Sequence, residues 1–159
     1  MNPLDLKNDI VVFDLDGVLA KYDFGELGIK LVSEHEWVRA NMQRSMYEFV
    51  QKTSLFNELI AEKNENDMYV LSTAFSSFEQ KSKIDFLARE YSAFKESNII
   101  FVARDEFKVD ILKELREIYD NTNKHYKRIV LIEDTVKIMA SVEELHNENI
   151  RCFLVSDFI

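Results

Sequence analysis

Asp14 and Asp16 stand two residues apart in Phe13-Asp14-Leu15-Asp16-Gly17-Val18, at the end of an apolar run that begins at Ile10. Side chains alternate along an extended strand, so both carboxylates face the same side. Two carboxylates this close repel, and one keeps a proton unless a cation sits between them. Mg²⁺, a hard ion that prefers carboxylate and water oxygens, suits such a pair. The same residues also suit a plain turn, with Asp capping backbone N–H groups and Gly17 at positive φ. Three further polar points end or follow apolar runs. Leu71-Ser72-Thr73 offers hydroxyls that could hold a phosphate oxygen or cap a turn. Lys108 follows a third run and opens a helical segment, where a lone Lys is otherwise a solvated charge. Ile132-Glu133-Asp134-Thr135 places a second acidic pair at a strand-to-helix junction, where Asp134 or Thr135 could equally be an N-cap.

The elements that must position these residues are legible as five short apolar runs. They are Ile10–Phe13, Met68–Leu71, Ile99–Val102, Ile129–Ile132 and Cys152–Val155, without polar alternation, as in strands buried on both faces of a parallel sheet. Helical spacing fills the intervals. Ile84, Leu87, Ala88 and Tyr91 mark one face after a capping box at Ser77 and Gln80. Ile111, Leu112, Leu115, Ile118 and Tyr119 mark a second, and Val136, Met139, Val142 and Leu145 a third. Strands alternating with helices predict an α/β fold, a doubly wound parallel five-stranded sheet.

The interval from Phe13 to Met68 is far longer than the dozen or so residues of a crossover. A helix over Ser54 to Glu62, with Leu55, Phe56, Leu59 and Ile60 inward, would lead into the second strand. Residues 21–53 are then a small helical insert in a core domain of residues 1–20 and 54–159. A capping box at Ser33 and Glu36 opens its helix, with Val38, Met42, Met46 and Phe49 as the apolar stripe. Ligands of open α/β sheets bind at the carboxyl ends of the strands, so an insert there is placed to act as a lid. Tyr22, Phe24, Trp37 and Tyr47 could stack on a base, and Arg39 or Arg44 could touch a ribose or phosphate. The alternative is that these aromatics form the insert's own core.

In a parallel sheet all the strand ends named above lie on one edge. Two acidic pairs, a hydroxyl and an ammonium then converge on one crevice. A carboxylate nucleophile, Mg²⁺ and a fixed cation are the parts phosphoryl transfer requires.

The order DxDGV, strand-terminal Ser/Thr, Lys and acidic pair resembles the four motifs of the haloacid dehalogenase superfamily of phosphohydrolases. The match runs from Ile10 to Val155, and Val-Val-Phe-Asp-Leu-Asp-Gly-Val-Leu is its most specific part. Within that superfamily, Asp-Leu-Asp-Gly-Val-Leu-Ala, Tyr-Val-Leu-Ser-Thr-Ala and Phe-Val-Ala-Arg-Asp-Glu-Phe-Lys resemble the 5′(3′)-deoxyribonucleotidase branch. The fourth motif is Glu-Asp, where that branch usually shows Asp-Asp. The resemblance implies a sheet order of fifth, fourth, first, second and third strand, with an insert placed like a type-1 cap. It also implies roles. Asp14 is the nucleophile and Asp16 the acid and base. Ser72, with Thr73 as its rival, and Lys108 hold phosphate. Mg²⁺ is held by the Asp14 carboxylate, the Asp16 main-chain carbonyl and Asp134, with Glu133 nearby. The implied substrate is a small phosphorylated molecule, first a nucleoside monophosphate. Another phosphorylated metabolite, or a non-catalytic phosphate-binding module on the same fold, is the alternative. A receiver-type signalling domain fits less well, because its acceptor Asp would fall on a strand that here ends in Val102-Ala103-Arg104.

Composition bounds the partners. The 159 residues carry 29 Asp+Glu against 20 Lys+Arg, a formal charge of −9, which disfavours nucleic-acid polymers and anionic membranes. A local cation can still reverse that sign inside a pocket. With 47% hydrophobic residues the chain can build one full core. The single Cys152 can form no internal disulfide, and Met1 to Lys7 lack the apolar core of a signal peptide, so a reduced, cytoplasmic setting is expected. Oligomeric state is not legible.

Overall fold

The computed structural model describes residues 3–5, 7–21, 39, 45–48 and 50–159. Five strands, β1 (Asp9–Phe13), β2 (Met68–Thr73), β3 (Ile99–Val102), β4 (Arg128–Glu133) and β5 (Ile150–Leu154), form one sheet in the order β3-β2-β1-β4-β5. Every neighbouring pair is parallel. This is the expected order, with the switch point between β1 and β4. Helices α1 (Asn57–Glu62), α2 (Ser77–Glu90), α3 (Lys108–Asp120) and α4 (Val136–Glu143) fill the crossovers.

The sheet's two faces bury separate apolar clusters, the arrangement of a doubly wound fold. Val11 and Phe13 of β1, Val70 of β2 and Ile132 of β4 pack with Leu59 and Ile60 of α1 and Phe86 and Leu87 of α2. Ile10 and Val12, with Leu71, Ile129 and Leu131, pack with Leu112 and Leu115 of α3 and Ile138 and Val142 of α4. This alternation decides which helix each strand-end residue meets. Asp14 and Glu133 continue the α3/α4 parity of Val12 and Leu131, Ser72 shares the α1/α2 parity of Val70, and Thr73 shares the α3/α4 parity of Leu71.

Two helix starts differ from expectation. α1 begins at Asn57 rather than Ser54, because Ser54 adopts φ 64, a left-handed conformation that cannot continue a helix. Leu55 is accordingly exposed rather than inward. The cap of α2 is Ser76, whose hydroxyl accepts the Glu79 N–H at 3.1 Å, one residue before the expected box. The buried face of α2 is also turned: Glu79, Ser82 and Lys83 are buried beside Phe86 and Leu87, while Ala88 is exposed.

Around the long first interval, Ala20 and Lys52 form an antiparallel bridge. The Lys21 N–H donates to the Gln51 carbonyl at 2.9 Å and the Thr53 N–H to the Leu19 carbonyl at 3.0 Å. The two limbs of the expected insert thus leave and rejoin the core side by side. Met46, Tyr47 and Val50 join the core cluster on the α1/α2 face. The capping box at Ser33 and Glu36, the stripe residues Val38, Met42 and Phe49, and Tyr22, Phe24, Trp37 and Arg44 lie outside the described residues. Arg39 is exposed. Among the described residues no helix is long and apolar enough to cross a membrane.

Candidate active site

A cavity of about 1250 Å³ opens at the carboxyl edge of the sheet, lined among others by Asp14, Asp16, Thr73, Lys108, Glu133 and Asp134. It is built on the strand pairing. Phe13 is in register with Ile132, and the Asp14 N–H extends that ladder by donating to the Ile132 carbonyl at 3.0 Å. The carboxylates of Asp14 and Glu133 are thereby brought together on the face that α3 covers. Lys108, the first residue of α3, reaches between them. Its Nζ donates to Asp14 Oδ1 at 3.0 Å and to Glu133 Oε2 at 3.0 Å, with Asp105 at 3.7 Å. The side chains of Lys108, Asp14 and Glu133 are buried, while Asp105 is exposed.

The electrostatics follow from that burial. Removal from water by itself would lower the Lys108 ammonium, but Asp14 and Glu133 hold it above its ordinary value. Burial pushes the Glu133 carboxyl up, and the neighbouring Asp14 charge pushes it further, against the pull of Lys108. Glu133 Oε1 accepts the Asp134 N–H at 3.0 Å, so both oxygens of Glu133 already have donors. Asp134 is only half-buried and accepts from the Thr135 hydroxyl at 3.2 Å.

One carboxylate oxygen from each of Asp14, Glu133 and Asp134 lies within 4.8 Å of the others. This corrects one expectation. The group that could share a cation is Asp14 with Glu133 and Asp134, whereas the Asp16 carboxylate turns elsewhere. β1 ends at Phe13, and the chain then folds into a tight loop around Gly17 at φ 80, so strand alternation no longer governs residue 16. Asp16 Oδ2 accepts from Lys83 Nζ at 3.1 Å, and Oδ1 accepts from the Tyr47 hydroxyl at 2.5 Å. Each aspartate of the DxD pair therefore has its own lysine.

The two candidate hydroxyls also part company. Thr73 lines the cavity and donates to Asp105 Oδ1 at 2.5 Å. Ser72 is fully buried and accepts from Lys83 Nζ at 2.9 Å. Lys83 itself is 1% exposed and donates to the Thr73 carbonyl as well. It stands 3.7 Å from Glu79, one helical turn back.

Sequence reasoning missed Lys83, and it named Tyr47 only as a base-stacking candidate, whereas the 1% exposed ring packs into the core. A signal for Lys83 existed. Positions 79, 83, 86 and 87 share one helical face, so Lys83 lies on the same stripe as Phe86 and Leu87, in a helix that starts at the carboxyl edge. Tyr47 carried no local signal, since its contact with Asp16 spans 31 residues.

No family model matches the chain, and no curated protein matches it in sequence. Among solved structures, Mycobacterium tuberculosis protein tyrosine kinase A is similar, with a TM-score of 0.54 and 16% identity over 93% of this chain and 84% of that one. That likeness is one of fold, and it places the chain among α/β proteins with this architecture.

Proposed function

We propose that this chain is a Mg²⁺-dependent phosphomonoester hydrolase that works through an aspartyl-phosphate on Asp14, with nucleoside monophosphates as its first candidate substrates. The observation that carries the reading is the buried Asp14 carboxylate in an open cavity, 3.0 Å from the Lys108 ammonium and grouped with Glu133 and Asp134. The haloacid dehalogenase resemblance assigns the same residues.

The donor set suits Mg²⁺, since it is made of carboxylate oxygens alone. Asp14 and Asp134 would supply side-chain ligands and Asp16 its main-chain carbonyl. Glu133 is better placed to fix Lys108 and the Asp134 turn, because both its oxygens already accept hydrogen bonds. Bound there, the ion would neutralise and orient the phosphate charge.

The chain's own residues do the rest. An Asp14 oxygen attacks phosphorus, forming the aspartyl-phosphate as the ester P–O bond breaks. Asp16 gives a proton to the leaving oxygen and later takes one from the water that hydrolyses the intermediate. Lys108 holds one equatorial phosphate oxygen, and the Thr73 hydroxyl holds another once its proton turns from Asp105. Ser72 acts at one remove, through Lys83. Phe75, 46% exposed on the cavity wall, offers an aromatic face to a base.

Phosphate release tests this, from p-nitrophenyl phosphate and from a panel of nucleoside monophosphates and sugar phosphates, with Mg²⁺ or with a chelator. The expected result is release that needs Mg²⁺ and favours nucleotides. Release from none of them overturns the hydrolase reading. Preference for sugar phosphates removes the nucleotide assignment alone.

A further inference from the structure

Tyr47 connects the return limb of the insert to the acid–base residue of the site. Its ring is 1% exposed and packs against Phe86 with centroids 6.0 Å apart, so the hydroxyl has little freedom. That hydroxyl donates to Asp16 Oδ1 at 2.5 Å, while Lys83 Nζ fixes Oδ2 at 3.1 Å. The backbone behind Tyr47 is fixed too. Arg89 of α2 donates to the Tyr47 carbonyl at 3.0 Å and to the Val50 carbonyl at 3.3 Å. The Asp16 carboxylate is therefore aimed by two donors from different parts of the chain, one on α2 and one on the returning limb.

The two donors differ in what they allow. An ammonium can only donate, whereas a phenol can donate to a carboxylate or accept from a carboxylic acid. Tyr47 can follow Asp16 through both halves of a proton transfer, and Lys83 cannot.

We propose that Tyr47 is a positioning residue for the leaving-group step. Its hydroxyl holds the Asp16 carboxyl in line with the departing oxygen, which makes the acid step depend on how the insert's return limb is seated against α2. The inference rests on the hydrolase reading above, with Asp16 as the acid.

The test uses Tyr47→Phe, which keeps the buried ring, and a series of aryl phosphates from p-nitrophenyl to p-methoxyphenyl, so that the leaving group becomes progressively more basic. kcat/KM is read, because it reports the steps up to departure of the phenol and omits hydrolysis of the intermediate. A misplaced acid costs most where the leaving group most needs a proton, so kcat/KM should fall more steeply with leaving-group basicity. Tyr47→Phe should lose roughly tenfold more on p-methoxyphenyl phosphate than on p-nitrophenyl phosphate, a fraction of the ~10²–10⁴ that general acid–base catalysis supplies. Equal losses across the series, or no loss, overturn the inference and leave the hydrolase reading standing. A wild-type chain inert on every ester overturns both. Should Tyr47→Phe not fold, Arg89→Gln, which frees the Tyr47 and Val50 carbonyls without touching Asp16, is judged by the same steepening or its absence.

Discussion

The Lys108 ammonium stands 3.0 Å from Asp14 Oδ1 although 94 residues separate the two in sequence. The contact exists because α3 begins at Lys108 on the face to which β1 and β4 direct Asp14 and Glu133. A cation fixed between two buried carboxylates is positioned before substrate arrives, the condition under which one electrostatic group is worth most.

Lys108→Met should therefore lower kcat/KM on p-nitrophenyl phosphate by roughly 10²–10³ while far-UV dichroism shows the fold retained. A loss below threefold, with a larger one for Arg104→Ala at the cavity wall, would move phosphate holding to Arg104.

Ser72 and Thr73 separate by parity. Thr73→Val should raise KM, because the hydroxyl that lines the cavity is lost. Ser72→Ala should leave KM near wild type and cost about 1.5–3 kcal/mol of stability, the usual worth of a hydrogen bond to a charged group, here the buried Lys83 ammonium. Steady-state kinetics with urea unfolding of both variants checks the assignment. The reverse pattern would make Ser72 the phosphate ligand.

The opposite edge of the sheet carries a pH dependence of stability. Asp67, just before β2, accepts from Lys124 Nζ at 2.8 Å and Lys127 Nζ at 2.9 Å. Burial alone would raise its carboxyl, but the two lysines hold it below the ordinary value. The unfolded chain thus binds the proton more readily. The contribution is complete above the ordinary Asp range near ~3.9 and is lost as pH falls through the folded value. Urea midpoints stepped down through about pH 4 should fall less steeply for Asp67→Asn than for wild type. Equal slopes would contradict this.

Much of the fold was readable because strands buried on both faces leave unbroken apolar runs, as Ile129–Ile132 do within β4, where all four are buried. Asp14, Lys108, Glu133 and Asp134 were readable because parallel strands align their carboxyl ends. Two things were not. Lys83 shares the apolar stripe of Phe86 and Leu87, but a sequence shows its charge and not the partners that permit its burial. The aim of Asp16 depends on a hydroxyl 31 residues away and on a loop that breaks strand alternation, and neither leaves a local pattern.

Asp14 as the covalent nucleophile is the central claim. The most direct measurement is to acid-quench the full chain during turnover of p-nitrophenyl phosphate with Mg²⁺, digest it and weigh the peptides. The account predicts one added phosphoryl group on the peptide that contains Asp14, and none in Asp14→Asn, which should also release almost no phosphate. A phosphoryl group on another residue, or near-wild-type turnover by Asp14→Asn, would contradict it.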